Sequence, residues 1–113
     1  MFEDDEVRLR HILDAAREAV SFTEGHHRKD LDIDRKLNLS LVQLLEIIGE
    51  AARGVTTEFR HEHPELPWKS MVGMRDRLIH GYFDISLDVL WETVMNDLPP
   101  LIDKLEQILA DQS

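Results

Sequence analysis

Three side chains in one short segment could together act on a phosphodiester bond. Arg75, His80 and Tyr82 lie in the sequence RDRLIHGY, which spans residues 75–82. A guanidinium binds and neutralises a phosphate, and an imidazole, which titrates near neutral pH, moves protons to and from ribose and leaving-group oxygens. Arg75 and His80 are therefore the residue types that metal-independent cleavage of RNA requires.

The spacing of these residues limits how they could meet. On a regular helix, the five-residue step from Arg75 to His80 would turn their side chains apart by about 140°. A joint site then requires either unwinding near Gly81 or a second protomer across a two-fold axis, and both remain open. Asp76 and His80, four residues apart, would share a face, so the Asp76 carboxylate could support the imidazole. Arg75 and Tyr82, seven apart, would also align.

The same segment has a purely structural interpretation. Arg75 could extend to solvent from a core helix, His80 could pack at the end of that helix, and Tyr82 could fill the bundle. Spacing alone does not exclude this alternative. If His80 does occupy the last helical turn, the helix C-terminus would favour its cationic form.

Apolar residues recur at helical spacing through most of the chain, which predicts an all-α fold. Leu9, Leu13 and Ala16 mark a first helix, and a longer apolar stripe from Leu37 to Ala52 marks a second. No segment alternates long enough with the two-residue period of a strand. We therefore expect an up-and-down bundle of four to five helices. The expected helices run from about Asp4 to Phe22, from Asp34 to Phe59, from Trp68 to Gly81, and from Ser86 onward with a kink or restart at Pro99 and Pro100.

The length and composition predict one soluble domain that spans residues 1–113. With 113 residues, of which 42% are hydrophobic, the chain can bury a modest core, and small helical domains often complete such a core as a homodimer. The chain has no cysteine, its N-terminal segment is acidic, and no run reaches the roughly 18 apolar residues of a membrane span. We therefore expect a cytoplasmic location.

The formal net charge of −10 argues against general binding to nucleic acids, which depends on clustered Lys and Arg. The excess acid lies at the ends: residues 1–24 carry seven acidic and three basic residues, residues 84–113 carry seven and one, and residues 25–83 carry nine of each. Close to the motif, Lys69, Arg75 and Arg77 outnumber Asp76. A local anion-binding patch is one interpretation, and solvated charge on helix faces is the other.

The remaining polar clusters do not predict a metal or cofactor site. His61 and His63, two residues apart, would point apart on a helix, and no second cluster supplies further ligands. Glu46 and Glu50 share a helix face, but the Glu-x-x-His partners of a di-metal bundle are absent. Glu50 could instead pair with an Arg inside the bundle. We therefore expect neither a metal nor a cofactor.

Residues 67–82, PWKSMVGMRDRLIHGY, resemble the third-helix segment of HepT-type HEPN proteins. The family signature is Arg, four residues, His, one residue and Tyr, and Arg75, His80 and Tyr82 occupy those positions. IIGEAA at residues 47–52 resembles the second-helix segment, and DVLWETVMNDLPPLIDKL at residues 88–105 resembles the fourth helix and the start of the fifth. The chain departs from the family where Asn commonly follows the motif Arg. Here Asp76 adds a negative charge beside the phosphate site.

This resemblance implies a HEPN-like helical dimer that acts as the ribonuclease toxin of a toxin–antitoxin pair. Arg75 and His80 of both protomers would form one composite catalytic cleft. The implied partner is a minimal nucleotidyltransferase antitoxin, which transfers AMP from ATP to Tyr82. The implied substrate is RNA, with tRNA as the expected class.

Two other functions remain open. The chain could be a non-catalytic HEPN module that binds a nucleotidyltransferase partner and positions nucleotide or substrate, or it could be a structural dimerisation domain. Asp76 and the acidic composition favour the binding module. The complete set of Arg75, His80 and Tyr82 favours the ribonuclease, because a binding module would not need all three.

Overall fold

The computed structural model describes residues 1–80 and 84–112, which are mostly helical. The elements in chain order are α1 Glu3–Thr23, α2 Asp30–Ile33, α3 Arg35–Arg53, α4 Thr57–Glu62, α5 Trp68–Val72, α6 Met74–Leu78, β1 Ile79–His80, β2 Asp84–Ile85, α7 Leu87–Glu92, a π-helical segment Thr93–Asp97, and α8 Leu98–Asp111. Helices α1, α3 and α8 are the long members. The predicted all-α fold is confirmed.

The core lies between the long helices, with α1 packed against both α3 and α8 and with α5 and α6 packed against α3. Each long helix contributes side chains without exposed surface, namely Leu9, Ile12, Leu41, Leu45, Ile48, Leu98 and Leu105. Full burial of one such side chain stabilises the fold by about 1.5–3 kcal/mol. The apolar stripes of the sequence are therefore the inner faces of the helices. Within the described ranges, no helix combines the length and apolar character needed to cross a membrane.

Helix α3 ends before the predicted end at Phe59, and a buried carboxylate from α1 explains the break. The Asp5 side chain has no exposed surface and accepts hydrogen bonds from the backbone N–H and the hydroxyl of Thr56, at 2.9 and 2.7 Å. The Thr56 hydroxyl in turn accepts from the N–H of Phe59 and caps α4. These bonds fix Thr56 as the start of a new helix.

The C-terminus of α3 is capped by a guanidinium from α4. Arg60 donates to the carbonyls of Ala52 and Arg53 at 2.9 and 2.8 Å, and to the carbonyl of Val55 at 3.2 Å. The Ala52 and Arg53 carbonyls lie in the last turn of α3, where a cation is favoured at the negative end of the helix dipole. Hydrogen bonds thus stabilise the chain on both sides of the break in the predicted second helix.

Close packing between α3 and α5 depends on Gly49. A Cβ atom at this position would lie 3.0 Å from the carbonyl oxygen of Met71, so the absence of a side chain lets α5 approach the α3 backbone. Because α6 follows α5 directly, this approach also brings Arg75 next to α3.

The kink or restart predicted at Pro99 and Pro100 coincides with the start of α8 at Leu98. Both prolines lie in the first turn of α8, and the π-helical segment immediately precedes them. Proline has no N–H, and its ring clashes with the carbonyl four residues earlier, so the α-helical bonding pattern cannot continue through this point. Ser86 precedes α7 as predicted, but its side chain makes no capping hydrogen bond.

Candidate active site

The helix that carries Arg75 ends at Leu78, three residues before the predicted end at Gly81. Ile79 has the extended dihedral angles φ −112° and ψ 121°, and His80 follows it on strand β1. The divergence of 140° expected for a continuous helix therefore does not apply. Of the two ways to form a joint site, the structure shows the first: the helix unwinds after Leu78.

A short antiparallel hairpin replaces the last predicted helical turn. Ile79 pairs with Ile85, His80 pairs with Asp84, and the N–H of Ser86 donates to the carbonyl of Leu78 at 2.8 Å. The sequence analysis predicted no strand, because two-residue strands are too short to show alternation. Residues 81–83, which include Tyr82, lie outside the described residues.

The hairpin directs His80 away from the core. Ile79 and Ile85 are half-buried and pack against the core, whereas His80 and Asp84 are exposed. Successive residues of a strand point to opposite faces, so the isoleucine pair anchors the hairpin and leaves the other pair on its outer face. Directly opposed residues typically have Cβ atoms about 4.5–5.5 Å apart. Asp84 is thus the carboxylate in register with His80.

The structure contradicts the helical pairing predicted for Asp76 and His80. Since α6 ends at Leu78, the two residues do not lie one turn apart on a helix. Asp76 instead lines the same cleft as Arg75. The apolar pattern of the sequence did not indicate Asp84, although its position four residues after His80, across Gly81, is typical of a hairpin.

Arg75 borders a cleft of about 200 Å³ between α3 and the pair α5 and α6. The cleft is lined by Glu46, Gly49, Glu50, Arg53, Val72, Arg75 and Asp76. Two guanidinium groups therefore face three carboxylates across a small volume. Glu50 pairs with Arg53 at 3.1 Å, but both side chains are mostly exposed, at 74% and 59%. The pair predicted inside the bundle thus lies on the surface.

The Arg75 guanidinium and the His80 imidazole are exposed, and within the described part of the chain neither has a hydrogen-bond or ion-pair partner. From Arg75 to His80 the chain makes three helical steps and two extended steps, so the two Cα atoms are at most about 12 Å apart. Two long side chains can bridge such a distance around one phosphate group. The arrangement suits binding of a phosphodiester by the guanidinium and proton transfer by the imidazole.

In the other histidine cluster, His61 and His63, the His63 side chain makes structural contacts. His63 stacks on Phe59 with ring centroids 4.5 Å apart, and its Nδ1 lies 2.7 Å from a Glu65 carboxylate oxygen. This hydrogen bond lowers the pKa of the Glu65 carboxyl. Among residues 1–80 and 84–112, no group of three or more His, Cys, Asp or Glu residues is arranged to hold a metal ion.

Comparison with known proteins adds an independent finding. The sequence model of the family described as "Ribonuclease HepT-like" matches residues 12–108. A protein named "Probable ribonuclease HepT" from Thermococcus cleftensis is 40% identical over 100 residues, which cover 88% of this chain and 91% of that protein. A "Putative RNase" from Caldanaerobacter subterraneus is 39% identical over 104 residues, which cover 92% and 93% of the two chains.

A third relative is a "Putative RNase" from Methanocaldococcus jannaschii, 34% identical over 103 residues that cover 91% of this chain and 85% of that protein. No solved structure gives a significant match. These similarities extend over nearly the whole chain and are not confined to the motif.

Proposed function

Because this chain belongs to the HepT-like ribonuclease family, we propose that it is a metal-independent endoribonuclease whose cleavage site contains Arg75 and His80. One structural observation carries the proposal. Helix α6 ends at Leu78, so five residues of partly extended chain lead from the Arg75 guanidinium at the cleft to the His80 imidazole on the hairpin, and both groups are exposed and unpaired within the described part of the chain.

The proposed reaction is transesterification within RNA. The ribose 2′-hydroxyl oxygen attacks the adjacent phosphorus and the bond from phosphorus to the 5′-oxygen breaks, leaving a 2′,3′-cyclic phosphate and a 5′-hydroxyl. One imidazole accepts the proton of the 2′-hydroxyl, and a protonated imidazole donates to the departing 5′-oxygen. The Arg75 guanidinium stabilises the charge on the non-bridging oxygens. The reaction uses one imidazole as a proton acceptor and another as a proton donor, and a site that contains His80 from two protomers would supply both.

A homodimer is therefore part of the proposal. A groove of about 530 Å³ runs between α1 and α3 and exposes Val7 and Ile47, at 44% and 37%. Glu46 and Glu50 line both this groove and the Arg75 cleft, so the exposed apolar side chains are continuous with the candidate site. A second copy that covers Val7 and Ile47 would bring its own Arg75 and His80 towards this edge.

We further propose that the partner of the dimer is a minimal nucleotidyltransferase antitoxin that modifies Tyr82. The Tyr82 hydroxyl attacks the α-phosphorus of ATP, AMP is transferred to the tyrosine, and pyrophosphate leaves. Tyr82 follows His80 by two residues. An AMP group attached two residues from His80 adds negative charge to this segment and disfavours binding of a second polyanion.

Incubation of the purified protein with total tRNA in EDTA tests the ribonuclease proposal. We expect cleavage by the wild-type protein and intact tRNA with His80→Ala. Transfer RNA is the expected substrate class, and other structured RNAs serve as the comparison. If wild-type protein leaves every RNA intact yet still binds the nucleotidyltransferase, the non-catalytic module is the better account.

A further inference from the structure

A second groove lies at the start of α5, and its described lining residues differ from those of the Arg75 cleft. It has a volume of about 490 Å³ and is formed by the end of α4, the turn that follows it and the start of α5. Its lining includes Arg60, His61, Trp68 and Lys69, together with two prolines of the turn. None of the described residues that line it carries a carboxylate side chain. We call it the α4–α5 groove.

The charge of this groove differs from that of the rest of the protein. The net charge of the chain is −10, and the groove between α1 and α3 contains Asp4, Glu46 and Glu50 against one Arg. In the α4–α5 groove, the cations Arg60 and Lys69 have no carboxylate beside them in the lining. Such a groove on an acidic protein favours an anionic ligand.

The cations of the α4–α5 groove are not neutralised by ion pairs. Lys69 is exposed and, within the described ranges, its ammonium has no hydrogen-bond or ion-pair partner. The guanidinium of Arg60 binds only carbonyl oxygens. The nearby Glu65 carboxylate is already bonded to His63. By contrast, Arg17 pairs with Glu106 at 2.8 Å on the α1–α8 side of the molecule.

Arg53 connects the α4–α5 groove to the candidate active site. Its carbonyl accepts from Arg60, and its guanidinium donates to the carbonyl of Val72 at 3.4 Å while lining the Arg75 cleft. Its ion pair with Glu50 is exposed, and exposed pairs contribute at most about 1 kcal/mol. An RNA phosphate can therefore replace Glu50 as the partner of Arg53 at little cost.

Trp68, which forms part of the wall of the groove, is anchored by a hydrogen bond and ring contacts. The indole N–H of Trp68 donates to the carbonyl of His63 at 2.9 Å, and its ring meets the Phe59 ring edge-on at 6.0 Å. The Arg60 guanidinium lies 5.9 Å from the centre of the Trp68 ring. These contacts anchor the start of α5, the helix that carries Lys69.

We propose that single-stranded RNA next to the cleaved bond follows a path from the Arg75 cleft to the α4–α5 groove. Its phosphates lie on Arg53 and Lys69 along this path. These two are positioning residues: they hold the RNA backbone, and the chemistry stays at Arg75 and His80. Single-stranded segments suit the path because a basic groove beside a fixed aromatic wall follows a flexible backbone. The inference rests on the proposed ribonuclease site.

Binding of fluorescein-labelled single-stranded RNA to His80→Ala protein tests the path without cleavage. In this background, Lys69→Glu and Arg53→Glu should each weaken binding roughly five- to tenfold, and each lost phosphate contact should reduce the slope of log affinity against log salt by about 0.7. The matched control is Lys36→Glu, an exposed lysine near the start of α3, about 26 Å along the helix from Arg53. It changes the net charge equally and should alter binding less than twofold.

With His80 intact, Lys69→Ala should raise KM for RNA cleavage more than it lowers kcat. Equal losses in Lys69→Glu and Lys36→Glu would overturn the path, because they would show an effect of net charge alone. Unchanged binding in Lys69→Glu would also overturn it, even if the wild-type protein cleaves RNA. Absence of cleavage by the wild-type protein would instead refute the ribonuclease proposal, so the two failures are distinguishable.

Discussion

At the residue scale, His80 owes its orientation to a backbone hairpin. The sequence spacing suggested Asp76 as the carboxylate that supports the imidazole, but the hairpin register puts Asp84 opposite His80. Asp76 lies instead with Arg75 at the cleft, where its charge opposes binding of a phosphate. The two carboxylates should therefore have different effects on catalysis.

We predict that Asp84→Asn lowers kcat about tenfold, equivalent to about 1.4 kcal/mol in the barrier, with little change in KM. Asp84→Glu should restore part of the loss, because it keeps the charge opposite His80. The measurement is steady-state cleavage of one RNA substrate by each variant. An increase in KM with unchanged kcat would show that Asp84 affects RNA binding and does not position His80.

Asp76→Asn serves as the comparison and should retain or raise activity, because it removes a negative charge beside Arg75. It also restores the amide side chain that commonly follows the motif Arg in the family. A large loss of kcat in this variant would return the supporting role to Asp76.

At the scale of elements, the link between α1 and α4 depends on one buried carboxylate. Replacement of Asp5 by Ala removes two hydrogen bonds from Thr56 and leaves the part-buried N–H of Thr56 without a partner. We predict that this variant lowers the free energy of unfolding by about 2–3 kcal/mol. Urea denaturation measures the change. The control is Asp4→Ala, an exposed neighbour with the same change in charge, which should stay within about 0.5 kcal/mol of wild type.

The long helices could be predicted from the sequence because each buries one continuous apolar stripe. Leu9 and Ile48 have no exposed surface, and both lie on helices that were expected from spacing alone. The position of the motif could also be read from the sequence, and the family assignment based on it is confirmed. Periodicity and motif spacing are local properties, which explains this success.

The start of α4 and the end of α6 could not be predicted, because distant residues determine them. Asp5 fixes the start of α4 across 51 residues of chain, and the N–H of Ser86 binds the carbonyl of the last residue of α6. Neither contact has a local sequence signal. For the same reason, the spacing placed Asp76 one turn before His80 on a helix that in fact ends at Leu78.

At the scale of the whole molecule, the exposed apolar side chains between α1 and α3 should support the proposed homodimer. Val7→Glu combined with Ile47→Glu should convert the dimer to a monomer and abolish cleavage, because each cleft would lose the second His80. Light scattering coupled to gel filtration measures the mass. Ile33→Glu is the control: this side chain is 82% exposed and does not line the groove, so the dimer should persist. A wild-type monomer that cleaves RNA would refute the composite site.

The antitoxin proposal predicts a modification at a single residue. With the partner nucleotidyltransferase and ATP, the protein should gain mass in AMP units at Tyr82 and lose ribonuclease activity. Tyr82→Phe should still cleave RNA, because the hydroxyl is only the acceptor, and it should escape silencing that depends on ATP. Mass spectrometry of the coexpressed pair locates the group. AMP on another residue, or ATP-dependent silencing of Tyr82→Phe, would refute this assignment.

The most direct test of the ribonuclease site is the cleavage rate of end-labelled tRNA in EDTA, with identification of the new 3′ ends. Wild-type protein should produce 2′,3′-cyclic phosphates, and Arg75→Ala and His80→Ala should each be slower by at least about 10²-fold. Both variants should keep the helical content and melting temperature of the wild type, because the two side chains are exposed and unpaired in the described structure. Lys36→Ala, at an exposed position of α3, should cleave at the wild-type rate. Wild-type rates in the well-folded Arg75→Ala or His80→Ala protein would contradict the assignment of this site.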